Sequence, residues 1–129
     1  MLRKQDKPDS VTFNDRELQL FSGNVATHNH PRGTTFSFAD VEIAINYGLR
    51  EVRIVTPTLR YSFSPTVSWP PIIAMLGAFD SAKAKVNQRI NEMVRSGEIH
   101  PQFAEAEYLH YIWLNVAKEL NLTYKREKS

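Results

Sequence analysis

The sequence has no cysteine among its 129 residues. A disulfide framework, a cysteine-ligated zinc finger and a thiol nucleophile are therefore excluded, and any metal site must use His, Asp or Glu. No apolar run reaches the roughly 20 residues that a membrane-spanning helix needs. The amino-terminal residues are charged and no apolar stretch follows them, so they do not have the form of a secretory signal. We therefore expect a cytoplasmic protein with no membrane partner.

The sequence also has little excess charge. Sixteen Lys and Arg residues face 14 Asp and Glu residues, which leaves a net charge of +2 with neutral His. No basic cluster is longer than the tail segment Lys125-Arg126-Glu127-Lys128. Nucleic acid is therefore not implied as a partner. A chain of this length suits one compact domain, which can bury roughly two-thirds of the surface that the unfolded chain exposes.

Hydrophobic periodicity predicts alternating helices and strands in the first half of the chain. Asn14 is placed to cap a short helix, and β-branched residues within 24–30 favour a strand that follows it. Ser37 and Asp40 have the spacing of a capping box, which predicts the start of a second helix.

Two further segments, residues 51–56 and 59–63, alternate polar and apolar side chains and predict a hairpin.

The sequence predicts two helices in the second half of the chain. Apolar residues at three- and four-residue steps predict a long amphipathic helix that ends at Gly97. Pro101 is typical of the start of another helix, and Asn121 is suited to a left-handed cap at its end. We expect the two helices to pair in antiparallel fashion. Their apolar stripes also suit a homodimer, and the sequence alone leaves that open.

These segments together predict an α+β fold, with a small sheet flanked by helices and followed by a C-terminal helical pair. The expected units are a core over residues 1–64, a Pro-rich connector over residues 65–71 and the helical pair over residues 72–129, packed on the core.

One segment carries residues suited to chemistry. His28 and His30 are two positions apart on the predicted strand, so their side chains share a face and can reach one metal ion. Gly33 allows the following loop to fold back, and Asp40 lies in the first turn of the next helix, where its carboxylate can turn toward the imidazoles. Two His, one Asp and a water would have the geometry of a catalytic zinc site. Two alternatives stay open: Asp40 could serve only the capping box, and the histidines could hydrogen-bond only to the loop.

The same segment resembles the metal motif of the JAB/MPN family, which is known as JAMM. The family pattern is His-x-His, seven residues, Ser, two residues and Asp. The opening His-Asn-His-Pro-Arg-Gly, residues 28–33, is similar to the bacterial RadC-like branch, and Ser37 and Asp40 keep the family spacing to each other. In the C-terminal region, Trp113 and Tyr124 are similar to the tail of JAB-like modules in bacteriophage and prophage proteins.

This resemblance implies a cytidine-deaminase-like core and one zinc ion per chain. The zinc ligands would be His28, His30 and Asp40, and Ser37 would help to stabilise the oxyanion. The implied activity is that of a metalloprotease-like hydrolase of peptide or isopeptide bonds, with a peptide or protein as its substrate.

The chain departs from the family pattern in two ways. Six residues, not seven, separate His30 from Ser37. The family also uses a Glu on an earlier strand as general base, and Glu17 is the only Glu that precedes His28. Glu17 is therefore the remaining candidate base. The alternatives are that the base is absent, that another group replaces it, or that the sequence starts partway through a longer domain. The alternative is a catalytically inactive JAB-like phage or prophage module with a structural or binding role.

Overall fold

The computed structural model describes residues 2–4, 25–30 and 33–128. These ranges form a mixed sheet and three α-helices, which confirms the α+β class. The elements are β1 (Leu2–Lys4), β2 (Val25–Asn29), α1 (Phe38–Asn46), β3 (Glu51–Val55), β4 (Leu59–Pro65), α2 (Ile72–Arg95), a 3₁₀ turn (Pro101–Phe103), α3 (Ala104–Leu120) and β5 (Leu122–Lys128).

The five strands lie in the sheet in their chain order. β1, β2 and β3 are parallel, and α1 lies in the connection between β2 and β3. β4 is antiparallel to both β3 and β5. The predicted hairpin is confirmed, since Val52 lies opposite Phe63 and Ile54 lies opposite Tyr61.

The core lies against one face of this sheet. Side chains alternate across a strand, so the paired residues Val52 and Phe63 share a face, and both are buried. From α3, the fully buried Trp113 packs edge-on against the Phe63 ring, with ring centroids 5.3 Å apart. The same indole contacts Phe79 of α2 at 5.0 Å. The described helices therefore contribute buried apolar residues to a single cluster with the sheet.

The local signals for the helices are confirmed. The capping box at the start of α1 is present in full, and Asn121 ends α3 in the left-handed conformation with φ 57°. α2 ends at Arg95, and Gly97 follows it with φ 83°. Within the described residues, no helix has both the length and the apolar character that crossing a bilayer requires.

The C-terminal strand β5 differs from the expectation that the helical pair extends to residue 129. β5 pairs with β4 over its full length, so both helices lie in the connection between two neighbouring strands. The strand was not predicted because Lys125, Arg126, Glu127 and Lys128 hide the alternation, and only Tyr124 contributes a large ring to the core. The helix predicted after Asn14 lies outside the described residues.

Candidate metal centre

Strand β2 directs His28 toward the core. His28 pairs with the buried Ile54 in the parallel register, so it points to the same face of the sheet, and it is 1% exposed. His30 follows the end of the strand and continues the register, because its N–H donates to the Val55 carbonyl at 2.9 Å. The two-residue spacing therefore brings two imidazoles to one side of the sheet, and their ring centroids are 6.4 Å apart.

The loop after β2 orients the His30 ring. Gly33 adopts φ 82°, and its N–H donates to the His30 carbonyl at 3.0 Å, which fixes Gly33 beside the end of β2. The Nδ1–H of His30 then donates to the Thr34 carbonyl at 2.9 Å. A carbonyl can only accept, so this bond places a proton on Nδ1, and in the neutral ring Nε2 then carries the lone pair. That Nε2 is buried, and it has no hydrogen-bond partner within the part of the chain that the structure describes.

Asp40 joins the two histidines from the first turn of α1. Its Oδ2 accepts the Ser37 N–H at 2.9 Å, and the Ser37 Oγ accepts the Asp40 N–H at 3.2 Å. The same carboxylate faces both rings: Oδ1 lies 3.8 Å from His28 Nδ1, and Oδ2 lies 3.7 Å from His30 Nε2. Asp40 is 3% exposed. It therefore completes the capping box and the candidate centre together, and these two roles do not exclude each other.

The arrangement of these donors fits a metal ion. One candidate ligand atom from each of the three side chains lies within 4.8 Å of the other two. Two tetrahedral ligands at zinc distances lie about 3.4 Å apart. Each imidazole nitrogen lies a few tenths of an ångström farther than this from the Asp40 oxygen that faces it, and a different oxygen faces each ring. A buried polar atom that lacks a hydrogen bond is costly, and a cation between the rings and the carboxylate would satisfy His30 Nε2. His28, His30 and Asp40 therefore could hold a metal ion.

The electrostatics of the site favour neutral imidazole at His28. Burial lowers the pKa of His28 below its ordinary value of 6.5, and the neighbouring His30 acts in the same direction. The Asp40 carboxylate opposes this change and does not overcome it. Since metals bind the neutral form of imidazole, the site disfavours the protonation that would compete with a metal.

The sequence also predicts Ser37 and Glu17 as site residues. Ser37 lies beside the centre and also lines a surface cleft of about 370 Å³ with Thr34 and Glu105. Its part in catalysis stays a prediction. Glu17 lies outside the described residues, so its role as general base also stays a prediction.

Sequence reasoning missed the residues that fasten the loop beside the site. The Thr35 hydroxyl shares a hydrogen bond of 2.9 Å with the Tyr124 hydroxyl, and the Trp113 Nε1–H donates to the Phe36 carbonyl at 2.7 Å. No local pattern predicts these contacts, because the partners are 89 and 77 residues apart. The resemblance of the C-terminal region includes Trp113 and Tyr124, and Trp113 also belongs to the predicted apolar stripe of the last helix, but neither signal predicts these contacts.

Comparison of the chain with protein-family models, curated proteins and solved structures gave no match.

Proposed function

We propose that this chain is a zinc-dependent metallohydrolase of the JAB/MPN type that acts on peptide or isopeptide bonds. The observation that carries the proposal is the convergence of His28, His30 and Asp40 in one buried group. The loop before Ser37 is one residue shorter than in the family pattern, yet the turn at Gly33 still lets Asp40 reach both rings.

The chain's own residues have separate tasks in this proposal. His28 Nδ1, His30 Nε2 and an Asp40 oxygen would hold the zinc, and the Thr34 carbonyl keeps His30 in the tautomer that binds it. When bound, zinc at such a site lowers the pKa of a coordinated water to near 7 and supplies a nucleophile at neutral pH.

Ser37 is suited to stabilise developing negative charge. Its oxygen accepts the Asp40 N–H, which fixes the side chain and leaves its own O–H able to donate. That O–H would stabilise the substrate carbonyl oxygen as this oxygen gains charge.

A second candidate function is a metal-binding module that cleaves nothing. The observation that favours it is the burial of the donors, since His28, His30 and Asp40 are 1%, 1% and 3% exposed. A hydrolytic metal needs a coordination position that is open to water and substrate, whereas a structural metal does not.

Metal analysis of protein purified without chelators is the first test. We expect about one zinc per chain, and we expect the double variant His28→Ala, His30→Ala to lose it. The matched control is His100→Ala, because His100 is exposed and its ring serves to cap the turn at Pro101. Absence of stoichiometric metal in the wild-type protein would refute both candidate functions.

Cleavage of a peptide library then separates the two candidates. The Ser37→Ala variant should keep its zinc and lose turnover by about 10²–10³-fold, as removal of an oxyanion donor does in other hydrolases. Zinc without turnover in the wild-type protein would favour the binding module.

A further inference from the structure

The segment of residues 33–37, which we call the site loop, is fastened at four successive positions. Thr34 accepts from His30, Thr35 bonds Tyr124, Phe36 accepts from Trp113, and Ser37 exchanges bonds with Asp40. Two of these fastenings touch the candidate metal ligands directly. The other two come from α3 and β5, which lie far away along the chain.

The fastening at Thr35 continues into a buried hydrogen-bonded relay. The Tyr124 hydroxyl contacts the Thr35 hydroxyl at 2.9 Å and His110 Nδ1 at 3.0 Å. Thr35, Tyr124 and His110 are 1%, 8% and 5% exposed. Water cannot easily replace a partner in such a dry chain, so each bond costs more to break than a bond at the surface.

The relay ends one peptide unit from the group that orients His30. The Thr34 carbonyl receives the His30 Nδ1–H, and the adjacent Thr35 side chain is held by Tyr124. A shift of the site loop at Thr35 would carry this carbonyl away from the imidazole. The ring would then lose the partner that keeps its proton on Nδ1, and the Nε2 lone pair would no longer be assured.

We infer that Tyr124 and Thr35 are positioning residues for the His30 imidazole, and that they act through the Thr34 carbonyl. The inference rests on the proposed function in so far as it assigns them an effect on metal affinity. Their effect on the His30 tautomer does not depend on a metal.

Zinc affinity, measured by competition with a chelating dye, tests the first effect. Tyr124→Phe and Thr35→Val each keep the shape of the side chain and remove one hydroxyl of the relay. We expect each to weaken zinc binding by about 10–100-fold, the range found when partners of a ligating histidine are lost. Thr35→Ser returns the hydroxyl and should restore most of the affinity. The double variant should have the same zinc affinity as the single variants, since each change removes the hydrogen bond between Thr35 and Tyr124.

Tyr61→Phe is the matched control. Tyr61 is a buried tyrosine on the neighbouring strand, and its ring centroid is 6.4 Å from that of Tyr124. Its hydroxyl interacts with the Arg126 side chain, and among the described residues no hydrogen bond joins it to the site loop, so its removal should leave zinc affinity unchanged. Wild-type affinity in Thr35→Val and Tyr124→Phe would overturn the inference. Equal weakening by Tyr61→Phe would also overturn it, because that result would indicate general loosening of the core.

Nitrogen NMR of the metal-free protein tests the second effect. The wild-type His30 should show the Nδ1–H tautomer, and Thr35→Val should show a mixture of tautomers. An unchanged tautomer in Thr35→Val would overturn the inference. If the wild-type protein binds no zinc, the proposed function fails, and the tautomer comparison still decides whether the relay holds His30.

Discussion

Asp40→Asn separates the two roles of Asp40. The amide keeps the size of the side chain and an oxygen that can accept the Ser37 N–H, so the capping box can persist. It removes the negative charge that faces His28 and His30. A charge in the first turn of a helix contributes about 0.3–1 kcal/mol, and its burial offsets part of that. Without metal, the free energy of unfolding of the variant should therefore differ from that of the wild-type protein by no more than about 1 kcal/mol.

The zinc-dependent stability should change far more. Zinc at 100 times its dissociation constant stabilises the folded state by about 2.7 kcal/mol. For a domain of this size, 1 kcal/mol shifts Tm by about 4 °C, so saturation should raise the wild-type Tm by about 10 °C. Asp40→Asn should lose most of this increase. The measurement is thermal unfolding by circular dichroism, with chelator-stripped protein before and after zinc addition.

Glu42→Gln is the control for Asp40→Asn, because it removes the same charge from the same helix at a residue outside the centre. It should keep the full response to zinc. A wild-type zinc response in Asp40→Asn would show that Asp40 is only a cap, and the proposed ligand set would be wrong.

Three further predictions concern stability. Burial and the nearby Arg126 charge lower the pKa of His110 from 6.5 to about 4, so the unfolded chain takes up this proton first as the pH falls. The contribution of His110 to the free energy of unfolding is therefore complete above pH 6.5 and declines by up to about 3 kcal/mol toward pH 4. Urea unfolding should show a smaller loss of stability over this pH range in His110→Gln than in the wild-type protein. Phe63→Ala should cost about 3–5 kcal/mol because the ring is fully buried, whereas Val67→Ala should change little in the same assay because Val67 is 93% exposed. Asn121→Ala should lower the free energy of unfolding by about 1 kcal/mol, and Asn121→Gly should not, since φ is 57° at this position; equal losses in both would contradict the argument.

Local signals explain which elements could be predicted. The capping box at Ser37, the alternation in β3 and β4, and the left-handed cap at Asn121 each depend on residues that are near one another in the sequence. Strand β5 depends on pairing with β4 and on one buried ring, so its charged sequence carries almost no local signal. Long-range pairing outweighs propensity at that position.

For the candidate site, the sequence predicts which residues come together but not how their rings are oriented. The period of a strand is enough to place His28 and His30 on one side, and the capping box is enough to place Asp40 at the start of α1. The pattern does not specify which nitrogen of each ring faces the carboxylate. That choice depends on the Thr34 carbonyl and on the course of the site loop, and distant residues such as Tyr124 and Trp113 hold this loop.

The position of β5 has a consequence for the order of assembly. Pro65 and Leu122 are register partners, and the Thr66 hydroxyl donates to the Asn121 carbonyl at 2.6 Å. The two ends of the helical segment that connects β4 to β5 therefore lie side by side. During synthesis on the ribosome, β4 emerges well before β5. The edge of β4 that pairs with β5 therefore keeps its hydrogen-bonding groups open until α2, α3 and β5 have been synthesised. Contacts this distant along the chain slow folding, and an early α2–α3 hairpin would shorten the search by bringing the two strands together.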